Sequence, residues 1–147
     1  MKIAIANDHA AVEYKNILAN HLRSQGHEVI NFGTDERASC DYPDYAKKVA
    51  RAIQSKEVEA GVLICGTGIG MSISANRFKG VRASVCDNVL AAKMTRRHNN
   101  SNVLCMGARM IGVDLMLAIS DAYFSTPFDE EEIADKHTRR INKIEEV

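Results

Sequence analysis

The chain carries no net charge, since 19 Lys and Arg residues balance 19 Asp and Glu, and aromatic residues make up only 5% of it. A neutral chain without a basic stripe or interleaved aromatics lacks both the electrostatic footprint and the stacking platform of a nucleic-acid binder. No nucleic-acid partner is expected, and any anion it binds must be small and held by a few local charges. No apolar run reaches the ~18 residues of a membrane-spanning helix, so no membrane partner is expected either. The opening residues, Met1-Lys2-Ile3-Ala4-Ile5-Ala6, lead straight into a strand-like segment and then Asn7-Asp8, which is not the pattern of a signal peptide. Cys40, Cys65, Cys86 and Cys105 are far apart and form no Cys-x-x-Cys pair, which argues against zinc-ribbon and thioredoxin readings. Free thiols of this kind suit a reducing cytoplasm, the expected location. Internal repeats, linkers and low-complexity segments are also lacking. At 147 residues, a single domain over 1–147 with its own core is expected.

What is present is an alternation of short apolar runs and longer amphipathic segments. Strands are expected at Lys2–Ala6, His27–Asn31, Ala60–Cys65, Val81–Cys86 and Asn102–Met106. Between them, Tyr14, Ile17, Leu18 and Leu22 mark a helix face ending near Gly26. Pro43 sits near the start of a second helix bearing Tyr45, Val49 and Ile53. Further helices are expected at Ser72–Phe78, Val89–His98, about Gly112 to Tyr123 before Pro127, and about Glu130 to Glu145. Five β-then-α units in series predict an α/β fold: a doubly wound three-layer sandwich around a five-stranded parallel sheet, Rossmann-like in type.

The stretch Ile64-Cys65-Gly66-Thr67-Gly68-Ile69-Gly70-Met71-Ser72 organises the functional reading. Cys65 ends a buried strand, on the side where open α/β sheets place their ligands. Three glycines at alternate positions strip side chains from the following turn, so that backbone N–H groups can converge on a small anion. A dinucleotide fingerprint fails because, counted from Gly66, Met71 stands at the third glycine position. Asp87 does follow about twenty residues on, but the loop comes after the third strand rather than the first. A P-loop fails because no Gly-Lys-Ser/Thr follows.

Strands one, three and five end on the same edge of a parallel sheet. Asp8, His9, Cys65, Thr67 and Arg109 are therefore able to converge there. His98 closes a helix whose end faces the opposite edge, so it reaches that site only from a neighbouring subunit or an overhanging helix. Each residue also has a structural reading. A buried cysteine is commonly a small hydrophobe, though the glycine loop gives Cys65 a reason to ionise. Cys40, Cys86 and Cys105 lack such a loop and are taken as structural. Asp8 suits an N-cap, His9 and His98 suit packed or surface positions, and Asn99-Asn100-Ser101-Asn102 suits a turn. Lys136 and Arg140, four apart with His137 and Arg139 beside them, are either a solvated helix face compensated by the acidic run Asp129–Glu132 or a phosphate clamp.

Several motifs together resemble one family. These are Asp8-His9, Asp41-Tyr42-Pro43, the Ile64–Gly70 loop with Asn76, Arg96-Arg97-His98-Asn99 and Gly107-Ala108-Arg109. Over nearly its whole length the chain is similar to ribose-5-phosphate isomerase B, in the superfamily that also holds the galactose-6-phosphate isomerase subunits. The resemblance implies aldose–ketose isomerisation through an enediolate, with no cofactor and no metal. Cys65 would be the base moving a proton between C1 and C2. Backbone N–H groups of Gly66, Gly68, Ile69 and Gly70 would hold the enediolate oxygen. His98 would open the sugar ring, with Thr67 and Asp8 assisting, while Asn99 and Tyr42 bind sugar oxygens. His9, Arg109, Lys136 and Arg140 would surround the phosphate.

The resemblance also implies a homodimer or a dimer of dimers, with each site at the dimer interface and the C-terminal helix contributing to the phosphate site or to dimer contacts. Cys65 and His98 both lie in this chain, whereas galactose-6-phosphate isomerase divides them between two subunits. Departures fall at Asn7, where the family often has Cys or Ser, and at Ala134-Asp135-Lys136-His137-Thr138-Arg139-Arg140. There the family pattern reads Gly-Gly-Arg-His-x-x-Arg. Lys136 keeps the charge of that arginine without its bidentate fork, and Asp135 adds a negative charge. Ribose 5-phosphate and ribulose 5-phosphate are the expected pair. The same chemistry on allose 6-phosphate or galactose 6-phosphate is the nearer alternative, and a non-catalytic sugar-phosphate-binding module is the more distant one.

Overall fold

The computed structural model describes residues 1–128 and 134–147. Its strands are β1 (Lys2–Asn7), β2 (Glu28–Asn31), β3 (Ala60–Cys65), β4 (Ala83–Val85) and β5 (Val103–Gly107). Its helices are α1 (Val12–Ser24), α2 (Tyr42–Gln54), α3 (Ile69–Ala75), α4 (Val89–Asn99), α5 (Val113–Ser125) and α6 (Ala134–Glu145). A 3-10 turn, His9–Ala11, joins β1 to α1, and the Asp8 carboxylate caps it by accepting the Ala10 N–H at 2.9 Å. All strand pairings are parallel, in the order β2-β1-β3-β5-β4. The expected fold class is the one observed.

Alternate residues along each central strand feed two separate cores, as a pleat requires. Ile3, Ile5, Val62, Ile64, Leu104 and Met106 face one core, packed by residues of α1, α4 and α5. Ala4, Ala6, Leu63, Cys65, Val103 and Cys105 face the other, packed by α2 and α3. The crossovers that step along the sheet towards β2 thus lie on one face, and those that step towards β4 on the other. Crossovers of uniform hand demand that division. The chain leaves β1 and β3 in opposite directions, so a crevice opens between their carboxyl ends, the usual ligand position in such sheets.

Several element boundaries shift by one to three residues, and one shift bears on the site. The helix behind the glycine loop begins at Ile69 rather than Ser72, because Gly68 takes the left-handed conformation (φ +79°) that starts it without any side-chain cap. Gly70 therefore belongs to the helix. The expected start of the last helix at Glu130 and the acidic run 129–132 lie outside the described residues, which resume with α6 at Ala134.

A candidate active site divided between two sheet edges

The order of strands places β1, β3 and β5 side by side at the centre of the sheet. Their carboxyl ends are stitched together beyond the ladder. Asp8 N–H donates to the Ile64 carbonyl at 3.2 Å, Ala108 N–H to the Cys65 carbonyl at 2.8 Å, and Arg109 N–H to the Gly66 carbonyl at 3.0 Å. Asp8, Cys65 and Arg109 are thereby fixed relative to one another by backbone alone. A side chain added at Gly107 would come within 2.6 Å of the Thr67 backbone, so the loop lies directly across the end of β5.

Cys65 is buried, and its Sγ accepts the Gly68 N–H at 3.0 Å. An amide aimed at sulfur stabilises negative charge there. Ile69 N–H is taken by Thr67 Oγ1 at 3.2 Å. Of the four backbone donors expected to receive an oxyanion, Gly68 and Ile69 are thus already engaged, by the thiol and by Thr67. The Arg109 side chain lies over Gly66, and a Cβ on Gly66 would stand 3.5 Å from its guanidinium. Tyr42, at the first position of α2, rests its ring on Gly70, where a Cβ would approach to 2.7 Å. His9 follows Asp8 at the same edge. Asp8, His9, Tyr42, Cys65, Gly66, Thr67, Gly68, Ile69, Gly70 and Arg109 therefore form one cluster.

Cys86 and Cys105 are core residues, as expected. Burial, and then the nearby Asp87 carboxylate, push the Cys86 thiol up to about 11. Burial drives Cys105 well above the ordinary thiol range, and the neighbouring Cys65 and Cys86 add to the effect. Cys40, also expected to be structural, is not a core residue. It is half-buried beside His9, with its backbone N–H 3.3 Å and its Sγ 3.7 Å from His9 Nδ1.

The remaining expected residues stand at the other edge. α4 begins beside the carboxyl end of β4 and runs back, about 16 Å for 11 residues, so that His98 and Asn99 end at the amino edge. Arg82, just before β4, donates from Nε to the Asn99 and Asn100 carbonyls at 3.2 and 3.1 Å and so caps that helix end. Arg96 holds the same end from within: it donates to the Ser101 and Thr126 carbonyls and lies over the Tyr123 ring. Arg96 is therefore a bracing residue, although it belongs to the Arg-Arg-His-Asn motif.

α6 lies along this edge too. His137 is buried and stacks on His98 with ring centroids 4.6 Å apart and planes inclined by 20°. Glu145, at the far end of α6, pairs with Arg82 at 3.2 Å. Lys136 and Arg140 are exposed on α6, on the same side of the molecule as His98. They do not meet Arg109 within one chain, because the length of β3, roughly 17 Å for its six residues, separates the edges. An overhanging helix is thus excluded as the route by which this chain's own His98 would reach its own Cys65. Among the described residues, no group of three or more His, Cys, Asp or Glu side chains is placed to hold a metal ion.

A model of the ribose/galactose isomerase family matches residues 3–144. The chain belongs to that family. Ribose-5-phosphate isomerase B of Escherichia coli is 41% identical over 143 residues, covering 97% of this chain and 93% of that protein. The crystal structure of a ribose 5-phosphate isomerase of this type from Thermotoga maritima superposes with a TM-score of 0.93 at 51% identity, covering 99% and 98% of the two chains. The Clostridium thermocellum ribose-5-phosphate isomerase B gives a TM-score of 0.95 at 44% identity, covering 99% and 96%. The chain is thus a sugar-phosphate isomerase of the ribose-5-phosphate isomerase B type. Among the described residues, no helix is long and apolar enough to cross a membrane.

Two contributors were missed from the sequence, and the part played by a third, Asn7, was not legible there. Lys15 is fully buried on α1 and pairs with Asp35 in the loop after β2. The signal was present, since Lys15 shares the helix face of Leu18, Ala19 and Leu22. Asn7, noted as a departure, is fully buried and hydrogen-bonded to the Asp8 and Thr34 backbones. The His98–His137 stack joins two helices and has no local signature.

Proposed function

We propose that the chain interconverts ribose 5-phosphate and ribulose 5-phosphate through an enediolate, at sites shared by two copies of itself. One observation carries this reading: a buried thiol receives a backbone N–H at 3.0 Å on a glycine-stripped strand end, beside an arginine. The Cys65 thiolate takes the proton from C2 of the open-chain aldose and returns one to C1 of the enediolate, while the O2 proton passes to O1, giving the ketose. Gly68 N–H serves the sulfur, so the enediolate oxygen falls to the N–H groups of Gly66 and Gly70, with Thr67 and Asp8 on the sugar hydroxyls. Tyr42 offers a phenol to a sugar oxygen, and His9 and Arg109 face the phosphate.

His98 and Asn99, with Lys136 and Arg140, come from the second copy, His98 to open the ring and Asn99 to bind the sugar. The separation of the two edges supports this arrangement, because neither edge alone holds both a base and a ring-opening acid. Exposed Ile69, Ile73, Val85, Leu90 and Met110 around the carboxyl edge supply apolar surface for the second copy to cover. Incubation with ribose 5-phosphate in deuterium oxide tests the chemistry. Deuterium entering carbon-bound positions next to the carbonyl is expected alongside conversion to ribulose 5-phosphate, and the absence of both refutes the reading. Comparing kcat/KM on five- and six-carbon phosphates identifies the sugar.

A further inference from the structure

The segment between β2 and α2 has no regular secondary structure, yet three ties fix it to the β1 end and to α1. Asn7 is the first. Its amide pairs with Thr34 as another backbone strand would, donating to the Thr34 carbonyl at 3.0 Å and accepting the Thr34 N–H at 3.1 Å. It also donates to the Asp8 carbonyl at 2.8 Å. The side chain occupies the place where a Cβ on residue 33 would stand, 2.0 Å from Asn7 Oδ1, so that only glycine fits there. The second tie is Lys15, whose buried ammonium reaches the Asp35 carboxylate. The third comes where the segment returns: Cys40 N–H donates to His9 Nδ1 at 3.3 Å, and Cys40 Sγ stands 3.7 Å from the same nitrogen.

The third contact has a chemical consequence. A ring nitrogen that accepts an N–H bond carries no proton, so the neutral imidazole must bear its proton on Nε2. The thiol hydrogen, if it points at Nδ1, requires the same tautomer. The opposite tautomer would set Nδ1–H against the Cys40 N–H, two donors face to face. Nε2 makes no hydrogen bond among the described residues, and His9 is half-exposed at the carboxyl edge. An N–H donor is therefore held ready on the substrate side.

We propose that Cys40, through its backbone N–H, and Asn7, through its anchored amide, are positioning residues that hold His9 as the Nε2–H tautomer facing the anionic end of the substrate. This rests on the reading of His9 as a phosphate-side group. It also accounts for Asn7: a buried amide there replaces a smaller side chain and pins the segment that sets the imidazole.

The test is a long-range proton–nitrogen spectrum of the histidine side chains in the full-length protein, with His9 assigned by its loss in His9→Gln. The Nε2–H tautomer is expected, and an Nδ1–H tautomer or an averaged mixture overturns the proposal. Asn7→Ser should release the segment, mixing the His9 tautomers and raising KM for ribose 5-phosphate several-fold while kcat changes less than twofold. Cys40→Ala keeps the backbone donor and should leave both tautomer and KM unchanged. Should Asn7→Ser unfold, Asp35→Asn probes the Lys15 tie with the same two readouts. A folded variant that raises KM with the tautomer intact, or mixes the tautomers with KM intact, also overturns the proposal. If His9→Gln leaves KM unaltered while the wild-type tautomer is Nε2–H, the phosphate reading of His9 fails by itself.

Discussion

At the carboxyl edge the functional groups stand on strand ends and on a loop locked by backbone hydrogen bonds. At the amino edge they stand on the last turn of α4 and the first two turns of α6. Cys65 is buried and its loop is shaped by glycines that other backbone or side-chain atoms crowd. Asn99, Lys136 and Arg140 are exposed, and His98 is steadied by Arg82, Arg96 and the His137 ring rather than by a sheet. The first edge resembles a preorganised oxyanion and base site, where small displacements are costly. The second resembles a surface that completes a site belonging to another copy. On the proposed reading, a chain so divided needs association for activity, and association brings the exposed half to the buried one.

Removing the proposed base strikes the carboxyl edge hardest. Cys65→Ala should lower kcat by at least 10²–10⁴-fold, the range set by losing a general base, and should abolish deuterium exchange, while Tm stays near wild type. Retained exchange would move the base elsewhere. Mixing Cys65→Ala with His98→Asn after dissociation and reassembly should restore about a quarter of wild-type activity, since half of random dimers then hold one intact site. If no activity returns although hybrids form, the two edges do not share a site. His98→Asn alone should depress turnover of ring-closed substrate far more than of an open-chain analogue, and equal losses would deny it the ring-opening role.

Smaller effects separate the two scaffolds. Gly107→Ala forces a methyl group against the Thr67 backbone at 2.6 Å and should cost about 1–3 kcal/mol in urea unfolding. Asn99→Ala at the exposed edge should change stability by no more than about 0.5 kcal/mol. Reversal of that order would mean that the glycine loop yields easily. Smallest is an alkaline effect in the core on the opposite face of the sheet from Cys65. Because burial and Asp87 raise the Cys86 thiol from 9.0 to about 11, the folded state favours the protonated form. Its stabilising contribution is present below pH 9 and is lost as pH climbs towards 11. Urea midpoints across that window should fall less steeply for Cys86→Ala.

Much of this was legible in the residues. Apolar runs alternating with amphipathic segments announced a parallel α/β sheet, because the strand and helix periods are local properties of the chain. Ala60–Cys65 was placed to the residue, since an apolar run ended by glycines has sharp borders. The start of α3 was missed by three residues, because a left-handed glycine can open a helix that propensity alone would delay.

The Cys-Gly loop, its neighbours after β1 and β5, and the distant His-Asn pair were visible in the sequence, since their chemistry depends on residue type and order. Which of them meet was decided only by tertiary structure. The strand order sets β1, β3 and β5 together, and the direction of α4 carries His98 to the far edge. The buried Lys15–Asp35 pair and the Asn7 anchor join residues that no local pattern relates. Periodicity reports which face of an element is buried, whereas non-local contacts choose its partner and so fix the site.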